Sequence, residues 1–224
     1  MGLGAEFVSD IFQEVDEEVR RERLEQLWKR YGNHIIAGMV LVLVAVAGWR
    51  GYTYWEQRKA AEAGAAFEAA STLADEGKHA DAQAAFAKLA TGGTAGYRVL
   101  ARFREAAQLG SSDPKAAIGA YDALAADASL GRPLQDLASV RAALLLVDSA
   151  PYEDMRARLE PLTAADRPFR HSARELLALS AWRAGDSAAA RRWIDTVMGD
   201  PETPTSIRNR VDVLMALSGS DGKG

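Results

Sequence analysis

Residues 77–93 read GKHADAQAAFAKLATGG, and the reading of this stretch decides the fold. A glycine turn opens it and Thr91-Gly92-Gly93 closes it. Between them Ala82, Ala85, Phe86 and Leu89 share one face at helical spacing, so a helix is expected from His79 to Leu89. Ala82-x-x-x-Phe86 places a small side chain four positions before a large one, and both project from the same face. The small residue lets a neighbouring helix approach; the large one fills the gap above it.

The same device recurs outward along the chain, as Ala117-x-x-x-Tyr121 and, with Ile in the large position, Ala190-x-x-x-Ile194. Gly77 and Gly110 are 33 residues apart, and Gly110 and Gly185 are 75 apart, or two units of about 37. The expected pairs are Trp55–Asp75 with His79–Leu89, Ala95–Leu109 with Pro114–Ala126, Pro133–Val147 with Tyr152–Leu162, and Phe169–Arg183 with Ser187–Met198. Gly110-Ser111-Ser112-Asp113 separates the second pair, with Asp113 as cap and Pro114 in the first turn. Gly185-Asp186 breaks the fourth. The third pair lacks both the Gly and the Ala and is degenerate. A last helix is expected from Thr205 to Leu217, then a flexible tail. Repeats near 34 residues with a small–large pair after a Gly turn are the pattern of tetratricopeptide-type helix pairs. The expected fold class is all-α: an N-terminal helix, one transmembrane helix, then a tetratricopeptide-like helical-pair solenoid. A four- or five-helix bundle is the alternative.

Upstream, Ile35 to Trp49 reads IIAGMVLVLVAVAGW, an uncharged run in a chain that is 26% charged. Fifteen helical residues rise roughly 22 Å, short of a hydrocarbon core of roughly 30 Å. Trp28 and Tyr31 on one side, and Trp49, Tyr52, Tyr54 and Trp55 on the other, form the aromatic belts of a spanning helix. Arg50 can snorkel, which extends the span to about Gly32–Tyr52. The eight Ile, Leu and Val of the run supply roughly −3 to −4 kcal/mol toward insertion. Two alternatives are a buried soluble helix and a cleaved signal peptide ending near Ala45-Val46-Ala47. The first does not account for aromatics at both ends. The second would need an n-region of 34 residues rich in Asp and Glu. Arg20, Arg21, Arg23, Lys29 and Arg30 precede the run, against Arg50, Arg58 and Lys59 after it. That five-to-three bias puts the N-terminus in the cytosol and the repeats in the periplasm.

Four segments follow: a cytosolic amphipathic helix (1–31), the anchor (32–54), the repeat domain (55–217) and the tail (218–224). In the first, Ser9 or Asp10 is the expected helix cap. Phe12, Val15, Val19, Leu27 and Trp28 fall near one stripe. The block SDIFQEVDEEVRRERLEQLWKRYGNHIIAG (9–38), the short span and the Ala-rich pairs together resemble the YfgM-like family, in its alphaproteobacterial branch. The resemblance implies a single-pass inner-membrane protein with a tetratricopeptide-like periplasmic domain. It implies an ancillary role beside the Sec translocon, among periplasmic folding factors. No family functional residue maps onto a position here.

A net charge of −4 leaves no basic field for nucleic acid. Zero Cys excludes disulfides, thiol nucleophiles and Cys-ligated metals. His34, His79 and His171 share no metal-ligand spacing, and no phosphate-cradle or nucleophile-elbow motif occurs. The expectation is therefore a non-enzyme with no cofactor, no metal and no small-molecule substrate. Its partners are the lipid bilayer and proteins: translocon subunits, folding factors or another membrane complex, for which it would be a structural accessory subunit. The expected binding surface is the concave face of the solenoid, lined by the first helix of each pair. Arg98, Arg102, Arg141 and Arg174 lie there, off the apolar stripes Leu100–Phe103–Ala107, Leu137–Leu144 and Ala173–Leu177. They are placed to receive an acidic or C-terminal peptide. Trp182 and Trp193 are expected in the core.

Overall fold

A computed structural model describes residues 4–220, with side chains described for Arg21 and for 25–218. The chain divides into two compact units, Met1–Lys59 and Ala60–Gly224. Among the described residues the helices are α1 (Gly4–Asp75), α2 (His79–Gly92), α3 (Ala95–Ser112), α4 (Pro114–Ala125), α5 (Arg132–Leu146), α6 (Tyr152–Leu159), α7 (Arg170–Arg183), α8 (Ser187–Gly199) and α9 (Thr205–Ser220). Two 3-10 turns, Ala128–Leu130 and Glu160–Leu162, follow α4 and α6. No strand occurs among these residues.

In the first unit α1 already begins at Gly4, ahead of the caps expected at Ser9 or Asp10. Its backbone stays helical across Gly32 and Tyr54, the bounds drawn for the anchor. The side chains of Phe12, Val15 and Val19, and the backbone of Met1–Leu3 and Asp221–Gly224, lie outside the described residues. Among the described residues one helix is long and apolar enough to cross a membrane. The most apolar 18 residues of that stretch of α1, Glu25–Asp75, have a mean hydropathy of 1.8, and none of those 18 is buried.

The second unit is built from helix pairs whose turns recur. At Gly77 (φ 76°) the amide N–H of Lys78 donates to Leu73 O and that of Gly77 to Ala74 O. At Gly185 (φ 76°) Asp186 and Gly185 donate in the same pattern to Ala181 O and Trp182 O. Both are helix ends in which a left-handed residue satisfies the last carbonyls, which favours Gly. Asp186 then caps α8, accepting the Ala189 amide at 2.9 Å, and Asp113 caps α4, accepting the Ala116 amide at 3.0 Å. Gly110 does not behave this way: α3 runs through it to Ser112, and Asp113-Pro114 makes the turn instead. A lone Gly inside a helix costs only about 1 kcal/mol, whereas proline disfavours helical backbone in the residue before it.

The small–large pairs form the core. Ala82, Phe86, Ala117 and Ala190 are fully buried, and Tyr121 and Ile194 nearly so. Phe86 meets Phe67 edge to face, with ring centroids 5.4 Å apart. Gly64 admits Tyr97 there, since a Cβ on it would lie 2.8 Å from the phenol oxygen. In the degenerate third pair Met155 and Leu159 take the same two positions, both fully buried. The flexible thioether replaces Ala because it fills an irregular gap. Trp182 and Trp193 pack against the core from partly exposed positions. α9 closes the stack with Ile207, Val211 and Leu214 against Ala178, Ile194 and Val197. It runs to Ser220, past the end expected at Leu217.

The apolar stripes expected on α3 and α5 are not their buried faces. Leu100 is 50% exposed and Leu144 48%, while Ala101, Ala106, Ala138 and Ala142 are buried. In an Ala-rich helix the closest-packed face is the one with the smallest side chains. Reading by the largest apolar residues therefore turns the helix away from its true register.

Candidate functional site

That rotation changes which cations line the exposed side. Arg104 on α3 and Arg141 on α5 are both exposed and have no ion-pair partner among the described residues. They lie 37 residues apart, like the buried Ala101 and Ala138 of the same helices. They therefore hold the same position in successive repeats. Between them Tyr121 of α4 is nearly buried, with the Phe103 ring 6.3 Å away. Burial pushes the Tyr121 phenol up, and the fields of Arg141 and then Arg104 oppose the rise. Leu100 lies one turn before Arg104, and Leu144 one turn after Arg141. Two unpaired cations with exposed leucines beside them match an amphipathic acidic segment.

The four arginines expected to receive a peptide divide. Arg102 Nη1 donates to Asp127 Oδ2 at 2.7 Å. Asp127 also accepts the Ser129 amide at 3.1 Å and its hydroxyl at 2.6 Å, closing the 3-10 turn. Hydrogen bonds from Ser129 and Arg102 hold the Asp127 carboxyl at about 2. Arg174, about one-tenth exposed, donates twice to Thr163 O and once to Asp200 Oδ2. Arg102 and Arg174 are thus engaged inside the protein. Arg98 is exposed with no ion pair among the described residues, about a third of a turn around α3 from Arg104. Arg141 is exposed on α5 with no ion-pair partner among the described residues. Arg104 was not among the four, although its 37-residue spacing from Arg141 is readable in the sequence.

On α1 the residues assigned to a membrane interface, Trp28, Tyr31, Trp49, Arg50, Tyr52, Tyr54 and Trp55, are all exposed. Lys59 Nζ sits 3.6 Å above the Trp55 ring, and the Arg30 guanidinium 5.6 Å from the Tyr31 ring. Aromatic rings backed by cations suit an interfacial position, where both the ring and the charge have partners.

Among the described residues no group of three His, Asp or Glu side chains is arranged to hold a metal ion. His79 shares a 2.8 Å hydrogen bond with Gln108. His171 is mostly buried beside Thr203 and Asp200. His34 is exposed on α1.

The family model described as tetratricopeptide repeat-like domain matches residues 25–203. No curated protein and no solved structure matches the chain.

Proposed function

The chain belongs to the tetratricopeptide repeat-like domain family, and on that premise we propose that it is a membrane-anchored, non-enzymatic scaffold that binds proteins on the exposed face of α3 and α5. Helical repeats of this class typically hold partners rather than catalyse. The observation that carries the reading is that Arg104 and Arg141 stand in equivalent positions of successive repeats, both exposed and neither with an ion-pair partner among the described residues. The family match begins at residue 25, before the apolar run. That supports treating the run as the family's own membrane anchor rather than a removable leader. With the charge bias across it, the N-terminus lies in the cytosol and the repeats in the periplasm of the inner membrane.

The resemblance of the N-terminal block supports a finer placing beside the Sec translocon, among periplasmic folding factors. Affinity purification of the full chain in mild detergent tests it: recovery of translocon subunits is expected. Recovery of only a respiratory or photosynthetic complex would replace this placing with the accessory-subunit role. A periplasm-dependent reporter fused after Tyr54 tests the topology, and an inactive fusion would overturn it.

A further inference from the structure

Helices α6 and α8 leave a cleft of about 240 Å3, lined by Tyr152, Arg156, Glu160, Arg192, Trp193 and Thr196. The Trp193 indole Nε1–H donates to Tyr152 Oη at 3.0 Å. That bond uses the phenol as acceptor and leaves its own O–H to donate. Tyr152 is only 8% exposed, and no acceptor for that proton occurs among the described residues. Arg192, on the same wall, is exposed and has no ion-pair partner among the described residues. Arg156 differs: it pairs with Glu153 at 2.8 Å and reaches Glu160 at 3.9 Å. Two cations and one anion line the cleft, and of the two cations only Arg192 has no ion pair among the described residues.

We propose that this cleft takes one carboxylate, from an acidic side chain of a polypeptide partner. Arg192 supplies the countercharge, the Tyr152 hydroxyl donates to the same carboxylate, and the methylene stem lies on the Trp193 indole. The volume, below the roughly 300 Å3 of typical small-molecule pockets, suits a single side chain. None of these residues belongs to the α3–α5 face, so this contact stands or falls apart from that one.

The test uses the full chain, 15N-labelled in detergent micelles, with the Trp193 indole N–H signal assigned by its loss in Trp193→Phe. The probes are acetyl-Gly-Gly-Glu-Gly-Gly-amide and its Gln twin. The Glu peptide is expected to move the Trp193 signal saturably, and the Gln twin to bind about tenfold or more weakly, the worth of a charged hydrogen bond. Arg192→Gln should weaken the Glu peptide by a similar factor. Arg191→Gln, at the exposed neighbour, should leave it unchanged. Equal binding of the two peptides, undiminished binding by Arg192→Gln, or no saturable shift at millimolar peptide would each overturn the proposal.

Discussion

Arg174 Nη1 donates to Asp200 Oδ2 at 2.7 Å, tying α7 to the connection after α8. The same guanidinium holds the Thr163 carbonyl at 3.1 and 2.7 Å, so the connection before α7 is fixed as well. Arg174 and the Glu202 amide keep the Asp200 carboxyl below the usual carboxylate range. Replacing Arg174 by Ala strips the Thr163 carbonyl of two charged hydrogen bonds and should cost about 2 kcal/mol. A lower urea midpoint for the repeat unit checks this; an unchanged midpoint contradicts it.

His171 makes stability depend on pH. Burial and the neighbouring Arg170 lower its pKa and outweigh Asp200, 3.9 Å away, which pulls the other way together with Glu202; Arg174 adds to the lowering. Below about pH 6.5 the unfolded chain takes up a proton that the folded chain resists, so stability falls as pH drops toward the lowered folded pKa. Asp127, held at about 2, adds a second loss between about pH 4 and pH 2. Thermal melts from pH 7 to pH 5 should show a falling midpoint, with a shallower slope in His171→Gln. Equal slopes would remove His171 from the account.

Two glycines should respond to Ala in opposite directions. Gly119 is exposed inside α4 with open space around its Cβ position, so Gly119→Ala should raise stability by about 0.5–1 kcal/mol. Gly185 has open space too, but φ 76°. There Gly185→Ala should cost about 1–2 kcal/mol from backbone strain alone. Denaturant unfolding of both variants, side by side, gives the sign.

Phe86 is fully buried against Phe67, and Phe86→Ala should cost about 3–5 kcal/mol by opening a cavity among helices packed through alanines. Leu144→Ala, at a residue 48% exposed, should stay within about 0.5 kcal/mol. A large loss at Leu144 would mean that this face is covered.

Charge reversal at Arg104 and Arg141 tests the α3–α5 face. Each exposed ion pair is worth about 0.2–1 kcal/mol, so one substitution should weaken partner capture a few-fold and the double variant about tenfold or more. The melting temperature should hold, since neither residue has an ion-pair partner among the described residues. Co-purification with the double variant, quantified against wild type, decides it; undiminished capture would move the binding surface elsewhere.

Much of this architecture is legible in short-range pattern. Gly77 and Gly185 make the expected breaks because a Schellman turn needs only one residue that tolerates positive φ. Asp113 and Pro114 set the start of α4 for similarly local reasons. Gly110 misled because its surroundings outweigh one weak helix former. The third pair was legible in its bounds but not in its small–large motif, because Met155 stands where the other pairs have Ala.

The candidate sites were harder to read. Pattern places Arg102 and Arg174 among exposed cations, yet Asp127 and Asp200, 25 and 26 residues downstream, occupy them. Sequence spacing does not reveal which acid reaches which arginine once connections fold back.

The sequence by itself determined that the chain is helical, where several helices begin and end, and that one stretch is apolar enough for a bilayer. Those properties follow from backbone preferences and from periodicity over a few residues. Long-range packing set which face of α3 and α5 is outermost, which arginines have no ion pair among the described residues, and that α6 and α8 bring Tyr152, Arg192 and Trp193 to one cleft. The reason is that burial and ion pairing are set by neighbours distant in sequence, and in an alanine-rich core those neighbours approach the smallest side chains rather than the most hydrophobic ones.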